Sequence, residues 1–383
     1  MKKKILFVLP SFEIGGTTVS TRNLISLLDK EKYDITVWGL NEYGILKWMY
    51  DGLPCVKTCF ATQALALSGW KKETNITRKL LAAIIRKIAY NNNIKKRIIN
   101  YSIKRCIGKK HFDTVISCQE GFATLFASHI ISNNHLAWVR CDYKEYFKGH
   151  NLVKESFYNN YNHIVCVAEK TKDNFIEIYP EHKKKTICIY NPQDSNLIID
   201  QSNIDDHDER FKFNIDKKVI VSLGRLNRVK RFDRIPSIAR KLLNNGLNFV
   251  WYVVGDGEEK TVIANAIKQH RVENNVIMLG AKSNPHFYIK RADLYVCLSS
   301  SEACPRVVNE AKILSTPVVS TNFPTIYEYI EDGINGRIVS IEEIPQAILE
   351  IFNNKEQYSN IKKEISKFTF DNTCLIKDIE NII

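Results

Sequence analysis

The chain has 383 residues, with 55 Lys and Arg against 42 Asp and Glu for a net charge of +13, and is long enough for two domains that each bury a core. No run approaches the roughly 20 apolar residues needed to span a membrane, and Pro10 ends the first apolar run, Ile5 to Leu9, far short of a signal-peptide core, so a cytoplasmic protein is expected. The ten cysteines form no C-x-x-C pair, and Cys55 and Cys59 have no nearby histidines, so they read as thiols rather than as disulfides or a zinc site.

Lys4 to Leu9 reads as a buried strand, followed by a Gly15-Gly16 turn and a helix from Thr17 to Leu28, the opening of a doubly wound α/β domain. The turn lacks a full G-x-G-x-x-G. On local sequence it is equally a plain turn that uses glycine for backbone freedom. A second strand, Asp34 to Leu40, precedes a strongly basic segment: residues 71–110 hold thirteen Lys or Arg against the single acid Glu73. In it Ile76, Leu80, Leu81, Ile84, Ile85 and Ile88 recur at helical spacing, with Arg78, Lys79, Arg86 and Lys87 on other faces, and a second helix follows from Ile94 to Cys106. Such a segment is a solvated surface, a nucleic-acid patch or a docking face for anionic lipid. Only Tyr90 and Tyr101 interleave with the charges, so no nucleic acid is expected.

Further strands at Asp113 to Cys118, Leu136 to Arg140, His163 to Ala168 and Thr186 to Tyr190 alternate with helical stretches, which implies a parallel sheet with ligand loops at its carboxyl edge. Arg140 ends one of these strands. It either meets substrate or pairs with Asp142. The polar, acidic run Ser195 to Arg210 reads as an interdomain linker.

A second α/β series opens with Val219 to Leu223, then Gly224 with Arg225 and Lys230 on the following loop, a plausible polyphosphate clamp. Phe249 to Val254 leads to Gly255, and Val276 to Leu279 to Gly280. The strand Ala292 to Leu298 then precedes two carboxylates, Glu302 on a loop and Glu310 on a helix expected to start at Pro305. The first-turn amides of Arg306, Val307 and Val308 would suit a phosphate. Glu310 would lie roughly 7 to 8 Å along the axis from Pro305, so the carboxylates could bracket a diphosphate; otherwise both are solvated surface charges.

The run from Glu302 to Glu310, with Thr316-Pro317-Val318-Val319 after it, resembles the E-x7-E signature of family 4 retaining glycosyltransferases, although Ala303-Cys304 stands where the family commonly has Gly-Phe. The resemblance extends to Gly15-Gly16, the G-R-L-x-x-x-K segment from Gly224 to Lys230, Gly255, Gly280 and the turn ending at Gly336. It implies a GT-B fold: α/β, two doubly wound Rossmann-like domains facing across a cleft. The expected domains are an acceptor-binding one at 1–195 with a C-terminal helix 370–383 packing back, a linker 196–215, and a nucleotide-sugar-binding one at 216–369. It further implies that Arg225 and Lys230 bind the donor diphosphate, Glu302 the sugar and Glu310 the ribose. Gly16, Gly224, Gly255, Gly280, Pro305, Arg306, Val307 and Val308 would complete the donor site. Gly15, Gly16, Arg140 and Asp142 would line the acceptor side, with Arg140 standing where the family often has a histidine. Arg225, Lys230, Glu302 and Arg140 are the expected catalytic residues.

The implied activity is transfer of a sugar with retention from a nucleotide diphosphate sugar to a hydroxyl of a growing, lipid-linked glycan, with no cofactor. No D-x-D follows a strand, so no metal is expected, and leaving-group charge falls to Arg225, Lys230 and the helix dipole. The expected partners are a nucleotide-sugar donor, a lipid-linked or oligosaccharide acceptor and, through residues 71–110, an anionic membrane at the inner face of the plasma membrane. Two rivals remain at this point: a nucleotide-sugar epimerase on the same architecture, and a non-catalytic module that binds nucleotide or nucleic acid.

Overall fold

The computed structural model describes every residue except 14, 67–73, 148–154 and 213–215, and for residue 146 the backbone alone. Residues 71–73 of the basic segment and 213–215 of the expected linker therefore lie outside the described residues. The chain divides into two compact units, Met1–Pro192 with Asn372–Ile383, and Gln193–Asp371.

The first unit is built on strands β1 (Lys3–Leu9), β2 (Tyr33–Gly39), β3 (Phe112–Ser117), β4 (Ser132–Val139), β5 (His163–Cys166) and β6 (Thr186–Cys188). They form one parallel sheet in the order β2-β1-β3-β4-β5-β6. β1 shows why: Ile5, Leu6, Phe7, Val8 and Leu9 are all fully buried, the continuous apolar run of a strand covered on both faces. The strand order reverses between β1 and β3, so the loops leaving these two strands open at the position where doubly wound sheets bind ligands. Helix Thr373–Ile382 belongs to this unit, tied down where Asn134 donates to the Ile382 carbonyl at 2.6 Å and Lys32 meets Glu380 at 3.3 Å.

Four helices of this unit concern the site and the surface: α1 (Gly16–Leu27), α2 (Phe60–Leu65), α3 (Ile76–Ile88) and α4 (Asn92–Ile107). α3 and α4 start on asparagine caps, with the Asn75 side chain accepting from the Arg78 amide at 3.1 Å and that of Asn91 from the Ile94 amide at 3.3 Å. The sequence placed an apolar stripe on one face of α3 and cations on the others. The structure turns most of that stripe to solvent, and the helix packs inward through Ala82, Ala89, Ile85 and the arginines Arg78 and Arg86.

The second unit repeats the architecture with β7 (Lys218–Leu223), β8 (Phe249–Val254), β9 (Val276–Gly280), β10 (Leu294–Cys297), β11 (Val318–Thr321) and β12 (Arg337–Val339), in the order β12-β11-β10-β7-β8-β9. β8 is buried along its whole length: Phe249, Trp251 and Val253 enter one apolar core, Val250, Tyr252 and Val254 the other, the two-residue alternation of a central strand. Here the order reverses between β7 and β10.

The run 196–215, expected as a linker, is instead held to this unit over most of its described length. Ser195–Ser202 is a helix capped by Asp194, with Ile198 and Ser202 buried. Two acids of its continuation are paired rather than solvated, because Lys282 reaches Asp206 at 2.9 Å and Asp208 at 2.5 Å while Arg210 binds Asp208 at 2.6 Å. Among the described residues no helix is long and apolar enough to cross a membrane.

Candidate functional site

Strands β7 and β10 are neighbours at the reversal point of the second sheet, so the loops that leave them meet. The β7 loop carries Lys230 and the β10 loop Glu302, and the two side chains form an ion pair although 72 residues separate them. The Ser299 hydroxyl donates to the same Glu302 oxygen at 2.7 Å, and the Thr325 hydroxyl holds the Glu302 carbonyl at 2.6 Å. Burial by itself would lower the Lys230 ammonium, and the Glu302 charge more than offsets it, so the Lys230 pKa stands above the ordinary lysine value. The lysine is thus a fixed positive charge at working pH. Arg225, by contrast, is largely exposed, with Glu258 at 3.4 Å.

The glycines nearby have different jobs. Gly224 has φ +156 and Gly255 φ +148, values that favour glycine. A Cβ on Gly255 would collide with the Gly224 carbonyl, and one on Gly257 with the Leu226 carbonyl. The β7 and β8 loops are laced together through these close approaches, with the Gly224 amide on the Val254 carbonyl at 3.0 Å and the Leu226 amide on the Asp256 carbonyl at 3.0 Å. Gly280, with φ +80, takes no such role, and its carbonyl accepts from the Gly255 amide at 2.9 Å.

Glu310 stands on helix Arg306–Ile313, and Pro305 occupies the cap position rather than the first turn expected for it. Two of the three amides proposed for a phosphate are engaged, that of Arg306 with the Cys304 carbonyl and that of Val308 with the Pro305 carbonyl, each at 2.9 Å. Glu310 is not a solvated charge. It is buried, with Arg306 at 2.9 Å on one carboxylate oxygen and His286 at 3.5 Å on the other. Burial would raise this carboxyl, but Arg306 and then His286 overcome it and hold the pKa down to about 2. His286 is oriented in turn by Gln201, whose side-chain oxygen lies 2.8 Å from Nδ1. Sequence reasoning missed His286 and Gln201.

In the first unit the expected pairing of Arg140 with Asp142 gives way to another set of partners. Arg140 Nε donates to the Cys118 carbonyl at 2.8 Å, and Nη1 donates to Ser20 Oγ at 2.6 Å and to Asn191 Oδ1. Its amide donates to Glu120 at 2.8 Å. Asp142 serves the Lys144 amide at 2.9 Å and the Asn174 side chain at 3.0 Å, ordering the start of a short helix. Arg140 therefore joins α1, the loop after β3 and the end of the β6 connection. Gly15 is extended, with φ 175, and a Cβ on Gly15 or Gly16 would meet nothing within 4 Å. Neither glycine is demanded by its backbone, contrary to the plain-turn reading.

Residues 203–368 match the model of the family described as glycosyl transferases group 1. Over those residues the chain carries a domain similar to glycosyl transferases group 1. An uncharacterized glycosyltransferase of Haemophilus influenzae is similar along nearly its whole length, 23% identical over 369 residues that cover 94% of this chain and 92% of the relative. A poly(ribitol-phosphate) alpha-N-acetylglucosaminyltransferase of Staphylococcus aureus is 27% identical over 144 residues, 36% of this chain and 29% of the relative. Among solved structures, Anabaena Alr3699/HepE in complex with UDP and glucose superposes with a TM-score of 0.73 at 17% identity, covering 99% of this chain and 98% of the other. WaaG, involved in lipopolysaccharide biosynthesis, gives a TM-score of 0.65 at 14% identity, with 99% of each chain covered. The chain thus has the GT-B fold, and the Lys230–Glu302 and Arg306–Glu310–His286 clusters lie within the matched residues 203–368.

Proposed function

We propose that the protein transfers a sugar, with retention at the anomeric carbon, from a UDP- or GDP-linked donor to a hydroxyl of a growing lipid-linked, cell-surface glycan, in the manner of family 4. The observation that carries this reading is the Lys230–Glu302 pair at the β7/β10 reversal point. When the bond between the sugar and the diphosphate breaks, negative charge builds on the departing phosphate oxygen. Lys230 holds a permanent positive charge for it, and the exposed Arg225 is long enough to fold over the same group. Glu302, an acceptor-only carboxylate while ionised, takes hydrogen bonds from sugar hydroxyls. Glu310 is kept ionised by Arg306 and His286 and has lone pairs left for the two hydroxyls of a ribose. Gly224, Gly255 and Gly280 bring the loop backbones around the donor, and Pro305, Arg306, Val307 and Val308 form the wall beside it.

On the acceptor side we assign Gly15, Gly16 and Arg140. Arginine only donates hydrogen bonds at any working pH, so Arg140 positions rather than shuttles a proton. Asp142, occupied with Lys144 and Asn174, supports that loop from behind. The names of relatives that act on poly(ribitol-phosphate), O-antigen and lipopolysaccharide core support a glycan acceptor. Residues 74–110 carry eleven Lys or Arg and no acid, which supports an anionic membrane, at the inner face of the plasma membrane, as the place where a lipid-linked acceptor is met.

Thermal unfolding in the presence of UDP, GDP and a panel of their sugars tests the donor. A ligand that binds only the folded state at a hundred times its Kd stabilises by about 2.7 kcal/mol, so at millimolar ligand one base should raise the Tm by several degrees and its sugar should be consumed when a glycan acceptor is added. If no nucleotide sugar moves the Tm, the proposal fails. Interconversion of the donor without any acceptor would favour the epimerase instead.

A further inference from the structure

We propose that α3 lies in the headgroup layer of an anionic bilayer with its isoleucine and leucine stripe embedded, so that this unit docks by apolar insertion as well as by charge. The inference rests on the membrane partner proposed above, which by itself needs charge alone.

The orientation of α3 carries the argument. Five large apolar side chains, Ile76, Leu80, Leu81, Ile84 and Ile88, are 72%, 60%, 52%, 56% and 47% exposed. At 100° per residue they occupy an arc of about 140° on one side of the helix. On the opposite side, where a soluble protein would put such residues, stand Ala82 and Ala89, both buried, with two arginines. Arg78 donates to Gln63 at 3.0 Å and lies over the Phe60 ring at 5.3 Å, and Arg86 donates to the Ala64 carbonyl at 3.3 Å. The helix is inside out with respect to water. Five adjacent exposed apolar side chains make a contiguous patch of the kind that marks an interaction surface.

The charges around the stripe select the partner. Lys79 lies beside it and Lys87 at the C-terminal end of its arc, both exposed, and α4 adds Lys95, Lys96 and Arg97 within the acid-free segment 74–110. Tyr90, just before α4, and Tyr101, one turn after Arg97 on it, are both exposed, as amphipathic rings are at a membrane surface. A second copy of the chain would set one cationic face against another. Nucleic acid would match the charge but offers no apolar phase to take up five aliphatic side chains. An anionic bilayer satisfies both, with the stripe among the acyl chains and the lysines reaching up to the phosphates. The helix, about 20 Å long, lies in the plane of the interface and does not cross it.

Sedimentation of the full chain with vesicles of phosphatidylcholine and phosphatidylglycerol, at low salt and at 1 M salt, separates the two forces, because at 1 M the Debye length is about 3 Å. The wild type should keep measurable binding at 1 M salt. The triple variant Leu80→Ser, Leu81→Ser, Ile84→Ser should lose at least tenfold of that residual binding, with an unchanged or higher Tm and full turnover on a short soluble acceptor. The variant Lys95→Gln, Lys96→Gln, Arg97→Gln should lose mainly the low-salt component. If all wild-type binding disappears at 1 M salt, insertion is overturned while the charged membrane contact stands. If no vesicle binding appears at any salt, the membrane partner falls with it. A serine variant that binds vesicles like the wild type but changes from dimer to monomer would assign the stripe to a second copy and overturn the proposal. Turnover on the soluble acceptor reads the transferase activity separately from all of these.

Discussion

The charges of the two units are managed in opposite ways. In the second unit the cations of the strand-end loops sit against carboxylates: Lys230 against Glu302, Arg225 against Glu258, Arg306 against Glu310. In the first unit the segment 74–110 carries eleven cations without one acid and turns an apolar stripe outward as well. A site that must admit a polyanion and release it profits from internal counter-charges that hold the cations in place while it is empty. A surface meant for an extended anionic partner has no such need, since the partner itself supplies the counter-charge. The contrast can be broken at each end.

The largest effect is expected at Lys230. Lys230→Ala should lower turnover by at least about 100-fold, the scale of losing a charge aimed at a leaving group, and should also destabilise the fold by about 3 kcal/mol because Glu302 loses its cation in a largely buried place. The double variant Lys230→Met, Glu302→Gln separates the two, since it removes both charges together. Its stability should return towards wild type while its turnover stays lost. A double variant with near-normal turnover would show the pair to be purely structural.

Glu310 gives the next effect, and its sign follows from its pKa. The folded-state value, about 2, lies below the ordinary 4.5, so Glu310 stabilises the folded state above pH 4.5, and this contribution is lost as pH falls from about 4.5 towards 2. The shift corresponds to about 3 kcal/mol. Glu310→Gln should therefore be less stable than wild type by up to that amount in urea unfolding at pH 7, with the gap closing as pH falls from about 4.5 towards 2, and nucleotide should stabilise the variant less. A gap that stays constant with pH would mean that the His286 and Arg306 contacts do not hold the carboxylate ionised.

The strands of both sheets were legible because each is a buried run bounded by turn residues, and the places of Gly224, Lys230, Glu302 and Glu310 after strand ends were legible for the same reason. Contacts made across the fold were not. Nothing in the chain couples Lys230 to Glu302 or His286 to Glu310, since sheet order rather than sequence distance brings them together. Ser195–Ser202 escaped notice because a polar helix beside acidic residues resembles a linker until Lys282 and Arg210 are seen to pair with two of those acids. The periodicity of α3 showed that a stripe exists, but period says nothing about which side faces protein. Ala82 and Ala89 carry the clue, since small residues at the inner positions let a helix pack closely without burying its large ones. Arg140 was read towards Asp142, two residues away, whereas Ser20 and Asn191 reach it from far along the chain.

The smallest stability effect, and the finest test of the comparison, lies in the glycines. Gly255 has φ +148 and its missing side chain is what admits the Gly224 carbonyl, so Gly255→Ala must distort the laced β7 and β8 loops at a cost of about 1–3 kcal/mol. Gly16 is the first residue of α1, its backbone is not in the left-handed region, and a Cβ there would meet nothing within 4 Å. Gly16→Ala should thus leave stability unchanged or raise it by up to about 1 kcal/mol, because alanine loses less backbone freedom than glycine in forming a helix. Its cost should appear only with substrate present, as a raised KM or a reduced kcat, since the added methyl occupies space that we assign to the acceptor. The two variants then fail for opposite reasons, one in the empty protein and one only in the loaded protein. Normal kinetics for Gly16→Ala, beside a stable fold, would remove the Gly15-Gly16 loop from the proposed acceptor side and leave Arg140 as the remaining residue assigned there.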